Sequence, residues 1–277
     1  VFRPSFKPFA LAACLSLFAA CGTTYQLAEI DGPTASRATA MFQAAASEGA
    51  RPPAPPSVAR ARFDRVVARV RPAAEALCAE ERKSRPSMTC TVPIGIDIEM
   101  PVRNAYFTYA DPATKRQPRI MVTIPLLRDV RNDDELAFVL AHEYGHLLGQ
   151  HIEKAEAQAV AGALLLGVVV AAATADPYVD NSQIVSDSVQ LGGAIGQRAF
   201  SQTYELESDT IGTFITMQAG YDPIRGAGYF ARPDEVGQVN GALSFWGTHP
   251  PDEKRIATVI ATAQQVQRQG GIARKAR

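Results

Sequence analysis

Residues 142–146 read His142-Glu143-Tyr144-Gly145-His146. On a helix, positions i and i+4 lie one above the other on the same face, so two imidazoles spaced this way can hold one zinc ion. The glutamate beside the first histidine then projects toward the metal site, where it can take a proton from an attacking water. The flanking residues Leu136, Phe138, Val139, Leu140, Leu147 and Leu148 make the rest of this helix apolar and predict that it is buried. A polar His-Glu-His face on a buried helix needs partners, because an unpaired buried polar group costs about 1–3 kcal/mol.

Two imidazoles do not complete a zinc site, so a third donor must come from elsewhere. An H-E-x-x-H-x-x-G-x-x-H pattern would need histidine at 152, where the chain has Ile152. His151 is one position short and reads as a surface histidine or a support for a ligand. A later carboxylate is the other solution, and Tyr204-Glu205-Leu206-Glu207-Ser208-Asp209 offers one. Glu205 and Asp209 share a helical face, so Glu205 can ligate zinc while Asp209 hydrogen-bonds a ligand imidazole and fixes its tautomer. Glu207 is rotated away and reads as a solvated carboxylate.

These residues need elements to position them. Asn132 or Asp133 can cap a helix that runs to about His151, with Asp133, Asp134 and Glu135 suiting the positive end of its dipole. Residues 157–175 carry no charged side chain, and by length alone they are a membrane-span candidate. Residues 182–219 and 252–268 read as helical. Upstream, Phe63, Val66, Val67, Val70, Ala74 and Leu77 fall on one face of a helix over 57–83, which Pro72 would kink or split. Residues 88–127 alternate or are β-branched, with Asp111-Pro112 and Gln117-Pro118 as turns, and predict a small antiparallel sheet. Residues 22–57 are rich in Ala, Thr, Ser, Gly and Pro. They read as a tether, with a short helix near 36–46 and extended chain at 51–56. The tail after 269 is small and basic and should fray.

Lys plus Arg and Asp plus Glu both total 28, so charge gives no case for nucleic acid as a partner. The 277-residue chain is long enough for one or two domains with a core that needs no staples. Arg3 and Lys7 precede the uncharged run from Phe9 to Ala20, which suits a signal peptide and is short for a span. Phe18-Ala19-Ala20-Cys21 resembles the bacterial lipobox, whose cysteine is acylated and becomes the N-terminus; Leu11-Ala12-Ala13-Cys14 matches its letters better but would leave almost no apolar run after Lys7, and the alternative is an ordinary cleaved leader without lipid. Gly22 after it, rather than Asp, favours the outer over the inner membrane. Export would place Cys78 and Cys90 in an oxidising compartment, where a disulfide between them is expected and two buried thiols are the alternative.

Taken in order, these stretches resemble a known family. The sequence is similar to the gluzincin metallopeptidases that include the CAAX prenyl proteases, the mitochondrial Oma-type proteases and bacterial periplasmic quality-control proteases. The resemblance covers roughly 57–257. It is carried by Asn104-Ala105, by Glu135 through His146, by Glu205-Leu206-Glu207-Ser208-Asp209-Thr210-Ile211-Gly212 (Ser208 replacing the family's Ala), and by Thr248-His249-Pro250 through Arg255. It implies one zinc per chain on His142, His146 and Glu205, with Glu143 as general base and acid. It also brings His249 toward the metal from a loop, either to stabilise an oxyanion or to occupy the water's place. The alternative is a histidine that only caps a helix before Pro250.

The expected fold class is α+β, a mainly helical zincin-type domain with a small antiparallel sheet beside the H-E-x-x-H helix. The expected organisation is a leader over 1–20, a lipidated Cys21 with tether over 21–57, a metallopeptidase domain over 58–268 and a basic tail over 269–277. A zinc site built from both sides of residues 157–175 requires that run to stay in one compartment, as a helical hairpin. The implied function is a zinc-dependent endopeptidase on the periplasmic side of the envelope, lipid-anchored, acting on unfolded or misassembled envelope proteins. The rival is a non-catalytic assembly factor or chaperone that keeps a metal site.

Overall fold

The computed structural model describes residues 22–49, 51–174, 180–198, 201–232, 238–239 and 242–275. The leader and Cys21 lie outside the described residues. The chain divides into a larger unit, Tyr25–Gly149 with Glu205–Arg277, and a smaller one that contains Gln150–Tyr204 and the N-terminal residues through Thr24.

The larger unit begins with α1 (Gly32–Ala46), capped by Asp31, whose Oδ1 accepts the Thr34 N–H at 2.8 Å. Helix α2 (Pro56–Arg82) continues through Pro72 and is not split by it. Its Phe63, Val66, Val67, Val70, Ala74 and Cys78 are buried. At roughly 1.5–3 kcal/mol for each fully buried large apolar side chain, this burial outweighs the ~3 kcal/mol cost of an internal proline. Cys78 near the end of α2 is joined by a disulfide to Cys90.

The sheet has the order β1-β3-β2, with β1 (Ile94–Asp97), β2 (Ala105–Asp111) and β3 (Arg116–Thr123). The β2–β3 hairpin is antiparallel, pairing Phe107 with Ile120. β1 instead runs parallel to β3, pairing Ile94 with Ile120, so the sheet is mixed rather than wholly antiparallel. The hairpin inserts β3, with its buried Ile120 and Val122, into the centre and leaves β2 at an edge.

Short α3 (Ile124–Asp129) leads to α4 (Asp133–Gly149). Asn132 caps α4 by accepting the Glu135 N–H at 3.0 Å. The unit resumes within α7 (Ser201–Gln218) and continues with α8 (Pro223–Ala227), β4 (Gln238–Val239), β5 (Ala242–Leu243), α9 (Phe245–Thr248) and α10 (Glu253–Gln269).

Residues 25–57 are not a free tether. Tyr25 is 2% exposed, its N–H donates to Glu207 Oε1 at 2.7 Å, and its hydroxyl donates to Glu81. Arg51 donates to both Glu135 oxygens, and α1 packs on α10. One large buried side chain and charge-assisted bonds override the Ala- and Pro-rich composition. Glu207 is therefore a fully buried acceptor, not a solvated carboxylate. The tail is also held: Tyr25 bridges to Arg274, and Arg274 pairs with Ser84 and Glu81.

Helices α4 and α7 touch backbone to backbone. A Cβ on Gly145 would sit 2.7 Å from Ser208 Cα, and one on Gly212 would sit 3.0 Å from His142 N. Small residues at these two points set the register between the two helices.

The smaller unit contains α5 (His151–Ala173) and α6 (Ser182–Arg198), packed as a hairpin. A Cβ on Gly167 would meet Val189 Cγ2 at 2.6 Å, which marks a close crossing. His151 is buried and stacks on Tyr204, with ring centroids 4.7 Å apart. Gln158 bonds the Tyr204 hydroxyl.

Gly145→Ala tests the helix contact. The added methyl must displace Ser208 backbone, and overpacking of this kind costs about 1–3 kcal/mol, more than the ~1 kcal/mol gained in helix propensity. A lower urea midpoint is expected. An unchanged or raised midpoint would show that the approach is looser than described.

Candidate active site

Four elements converge here. Helix α4 supplies His142, Glu143 and His146, and α7 supplies Glu205 and, one turn later, Asp209. His249 follows α9, and Arg255 lies in the first turn of α10. The short α9 is fastened to the start of β2: Arg103 O accepts the Phe245 N–H at 2.7 Å, and Thr248 Oγ1 donates to Asn104 Oδ1 at 3.4 Å.

His142 is fully buried, and its Nδ1 lies 2.9 Å from Asp209 Oδ1. An ionised carboxylate only accepts, so the imidazole proton sits on Nδ1 and Nε2 presents a lone pair. That Nε2 lies 3.0 Å from His146 Nε2 and 3.4 Å from Glu205 Oε2, while His146 Nε2 is 3.4 Å from Glu205 Oε1. His249 Nδ1 is 3.0 Å from Glu205 Oε2 and 3.3 Å from His142 Nε2. The donor atoms of all four residues fall within 4.8 Å of one another. Donors at 2.0–2.1 Å around a tetrahedral zinc are separated by roughly 3.3 Å, so this donor set fits zinc.

Charge in the site is balanced by Arg255, which is 2% exposed. It donates to both Asp209 oxygens at 2.8 Å, its Nη1 lies 3.3 Å from Glu205 Oε2, and it covers the Phe230 ring. Burial would raise the Glu205 carboxyl, but His249, Arg255 and His146 outweigh it and hold the group well below the usual carboxylate range. Burial is likewise overridden at Asp209, where Arg255 and then His142 lower the carboxyl. At His249 burial disfavours the imidazolium, yet Glu205 and Glu143 push its pKa up to about 10.

Glu143 is 1% exposed. Its Oε2 accepts the Phe107 N–H from edge strand β2 at 2.8 Å. Its Oε1 makes no hydrogen bond among the described residues and lies 3.3 Å from His249 Nε2.

The structure thus brings His142, Glu143, His146, Glu205, Asp209 and His249 into one cluster. His249 also occupies the C-cap of α9, its N–H donating to Phe245 O at 2.7 Å, so capping and a place in the cluster are compatible. Sequence reading gave Arg255 no role. Its signal was a charge placed at helical spacing with Thr258, Val259, Thr262 and Val266 on the buried face of α10. The Phe107 contribution is a backbone N–H, which no residue type announces.

A helix carrying H-E-x-x-H, a carboxylate donor on a later helix and an edge strand beside the glutamate define a mainly helical zincin-type metallopeptidase domain. The profile of peptidase family M48 matches residues 73–263, and the chain belongs to that family of zinc metallopeptidases. Zinc is accordingly its metal. The chain is 33% identical over 142 residues to mitochondrial metalloendopeptidase OMA1 of Schizosaccharomyces pombe, covering 51% of this chain and 40% of that protein. It is 28% identical to the beta-barrel assembly-enhancing proteases of Yersinia pestis, over 146 residues, and of Escherichia coli K12, over 155. Each of these matches covers 51% of this chain and 30% of the relative. The chain thus spans less than half the length of these curated relatives.

Arg255→Gln is expected to weaken the fold and the metal site together. Breaking a buried ion pair costs about 3–5 kcal/mol, read as a lower urea midpoint, and loss of a ligand's support lowers zinc affinity about 10–100-fold. Unchanged stability and zinc affinity would show that Arg255 does not hold Asp209 in place.

Proposed function

We propose that this protein is a zinc-dependent endopeptidase of the bacterial cell envelope that cleaves unfolded or misassembled envelope proteins. The observation that carries the catalytic reading is Glu143: a buried carboxylate with one oxygen fixed by the Phe107 N–H and the other facing the donor cluster, 3.3 Å from His249 Nε2. A carboxylate oriented this way is placed to act as a base.

In this reading His142, His146 and Glu205 hold zinc, which supplies Lewis-acid polarisation of the scissile carbonyl and acidifies water. Glu143 takes the proton of the attacking water through Oε1 and delivers it to the leaving amine. Asp209 keeps the His142 proton on Nδ1, and Arg255 keeps Asp209 ionised. His249, with ring nitrogens 3.0–3.3 Å from Glu205, His142 and Glu143, lies across the open face of the donor cluster. It must withdraw before water and substrate share the site, which favours a gating role over oxyanion stabilisation. Among the described strands β2 pairs with β3 alone, and its other edge, where Glu143 accepts the Phe107 N–H, can take an extended peptide and bring successive carbonyls past Glu143. That mode suits internal cleavage.

The substrate class rests on the resemblance to beta-barrel assembly-enhancing proteases. The leader over 1–20 and the lipobox-like Cys21 support an envelope location, with a lipid on Cys21 holding the protein to the periplasmic face, the outer membrane before the inner. OMA1 relatives are mitochondrial, and this leader is what favours the bacterial envelope for the present chain.

Glu143→Gln separates the enzyme from a non-catalytic assembly factor or chaperone. It should lower casein cleavage by at least about 10²–10⁴-fold, the contribution of a positioned general base, with zinc content unchanged. Cleavage equal to the unsubstituted protein would eliminate Glu143 as the base. A zinc-loaded unsubstituted protein that cleaves nothing would support the binding role.

A further inference from the structure

The smaller unit carries an apolar surface that its own fold leaves uncovered. Helix α5 has no charged side chain from Ala157 to Ala173, and its most apolar window has a mean hydropathy of 1.8 with only 11% of it buried. Apolar helices of this kind are ordinarily core helices or leader segments. This one is neither buried nor near the N-terminus. A helix apolar all round is stable only when something covers it.

Helix α6 covers one side, through the crossing of Gly167 and Val189. The opposite side presents Leu164, Leu165, Val168 and Val169 with Ala171, Ala172 and Ala173, all exposed. At 3.6 residues per turn these spread over an arc of about 200°. A helix–helix seam with a second copy would be narrower and flanked by charges that set register. An arc this broad, aliphatic throughout and free of charge, suits hydrocarbon, which makes no directional demand.

Polar residues bound the apolar stretch at both ends. Glu153, Lys154 and Glu156 lie at its base, and Asp180, Gln183 and Asp187 lie toward its tip. Lys154 Nζ donates to Thr24 Oγ1 at 3.1 Å. The hairpin base is therefore tied three residues from Cys21, a distance of at most about 11 Å along the chain.

We propose that the α5–α6 hairpin lies in the surface layer of a lipid bilayer, with the Leu164 and Val168 side of α5 deepest. α6 carries exposed Gln183, Asp187 and Gln190 and cannot follow α5 across hydrocarbon. A lone crossing by α5 is excluded because α6 returns along it. The hairpin therefore lies along the interface rather than spanning it. Only its placement beside an acylated N-terminus rests on the lipid anchor proposed above.

The test uses the full chain in bacterial cells, with p-benzoylphenylalanine replacing Leu164, Val168 or Gln190 and irradiation of each variant. A limited-proteolysis pattern matching the unsubstituted chain selects variants that fold. Adducts to lipid acyl chains are expected at 164 and 168 and absent at 190. An adduct of twice the chain's mass would assign the face to a second copy and overturn the proposal. So would adducts to other proteins alone, no adduct at 164 and 168, or equal lipid adducts at all three positions. The mass of the N-terminal peptide from the same cells reports acylation of Cys21 separately. An unacylated chain that still gives the expected lipid adducts supports the hairpin and removes the anchor.

Discussion

Helices α4 and α7 approach so closely at Gly145–Ser208 and Gly212–His142 that no side chain fits between their backbones. The chemistry of the protein depends on this contact. It places the turn that carries His142 and His146 against the turn that carries Glu205 and Asp209, and it closes both off from water. A larger residue at either glycine would push the two helices, and with them the donors they carry, apart. Ser208 is small enough to preserve the contact.

The same closeness creates an electrostatic problem. Glu143, Glu205 and Asp209 bring three carboxylates into a poorly solvated space, and Arg255 supplies one fixed positive charge. His249, pushed up to about 10, adds a second positive charge beside Glu205 and Glu143, so one net negative charge is left for a cation to offset. Burial of unpaired carboxylates would otherwise be prohibitive, or would neutralise them by raising their pKa. Arg255 keeps Asp209 ionised, and Asp209 fixes the His142 tautomer, which leaves the Nε2 lone pair facing the donor cluster. Each residue in that series arranges the next, so the site acts as a unit, and its parts should not contribute additively.

Part of this was legible in the sequence. H-E-x-x-H declares itself because helical spacing turns a five-residue string into a two-donor face, and Glu205 with Asp209 repeats the device. The α+β class and the helix starts near 132 and 252 followed from periodicity, with a cap legible at Asn132 or Asp133. What was not legible depends on partners far along the chain. Residues 25–57 read as a tether because their composition is tether-like, but buried Tyr25 finds Glu207 and Glu81. Glu207 looked solvated because its partner is a backbone N–H more than a hundred residues away. The parallel pairing of β1 reflects insertion of the β2–β3 hairpin, which alternation within a strand does not encode. Phe107 contributes through its main chain, and Arg255 through a face that becomes readable only once the helix is known to be buried.

The proposed site has one zinc ion held by His142, His146 and Glu205 with Glu143 beside it. Anomalous diffraction at the zinc edge from crystals of the purified protein tests this most directly. A single peak is expected, within about 2.0–2.2 Å of Nε2 of both histidines and of a Glu205 carboxylate oxygen, with Glu143 outside the coordination shell. A peak elsewhere in the chain, or one whose ligands omit Glu205 or include Glu143, would contradict the account.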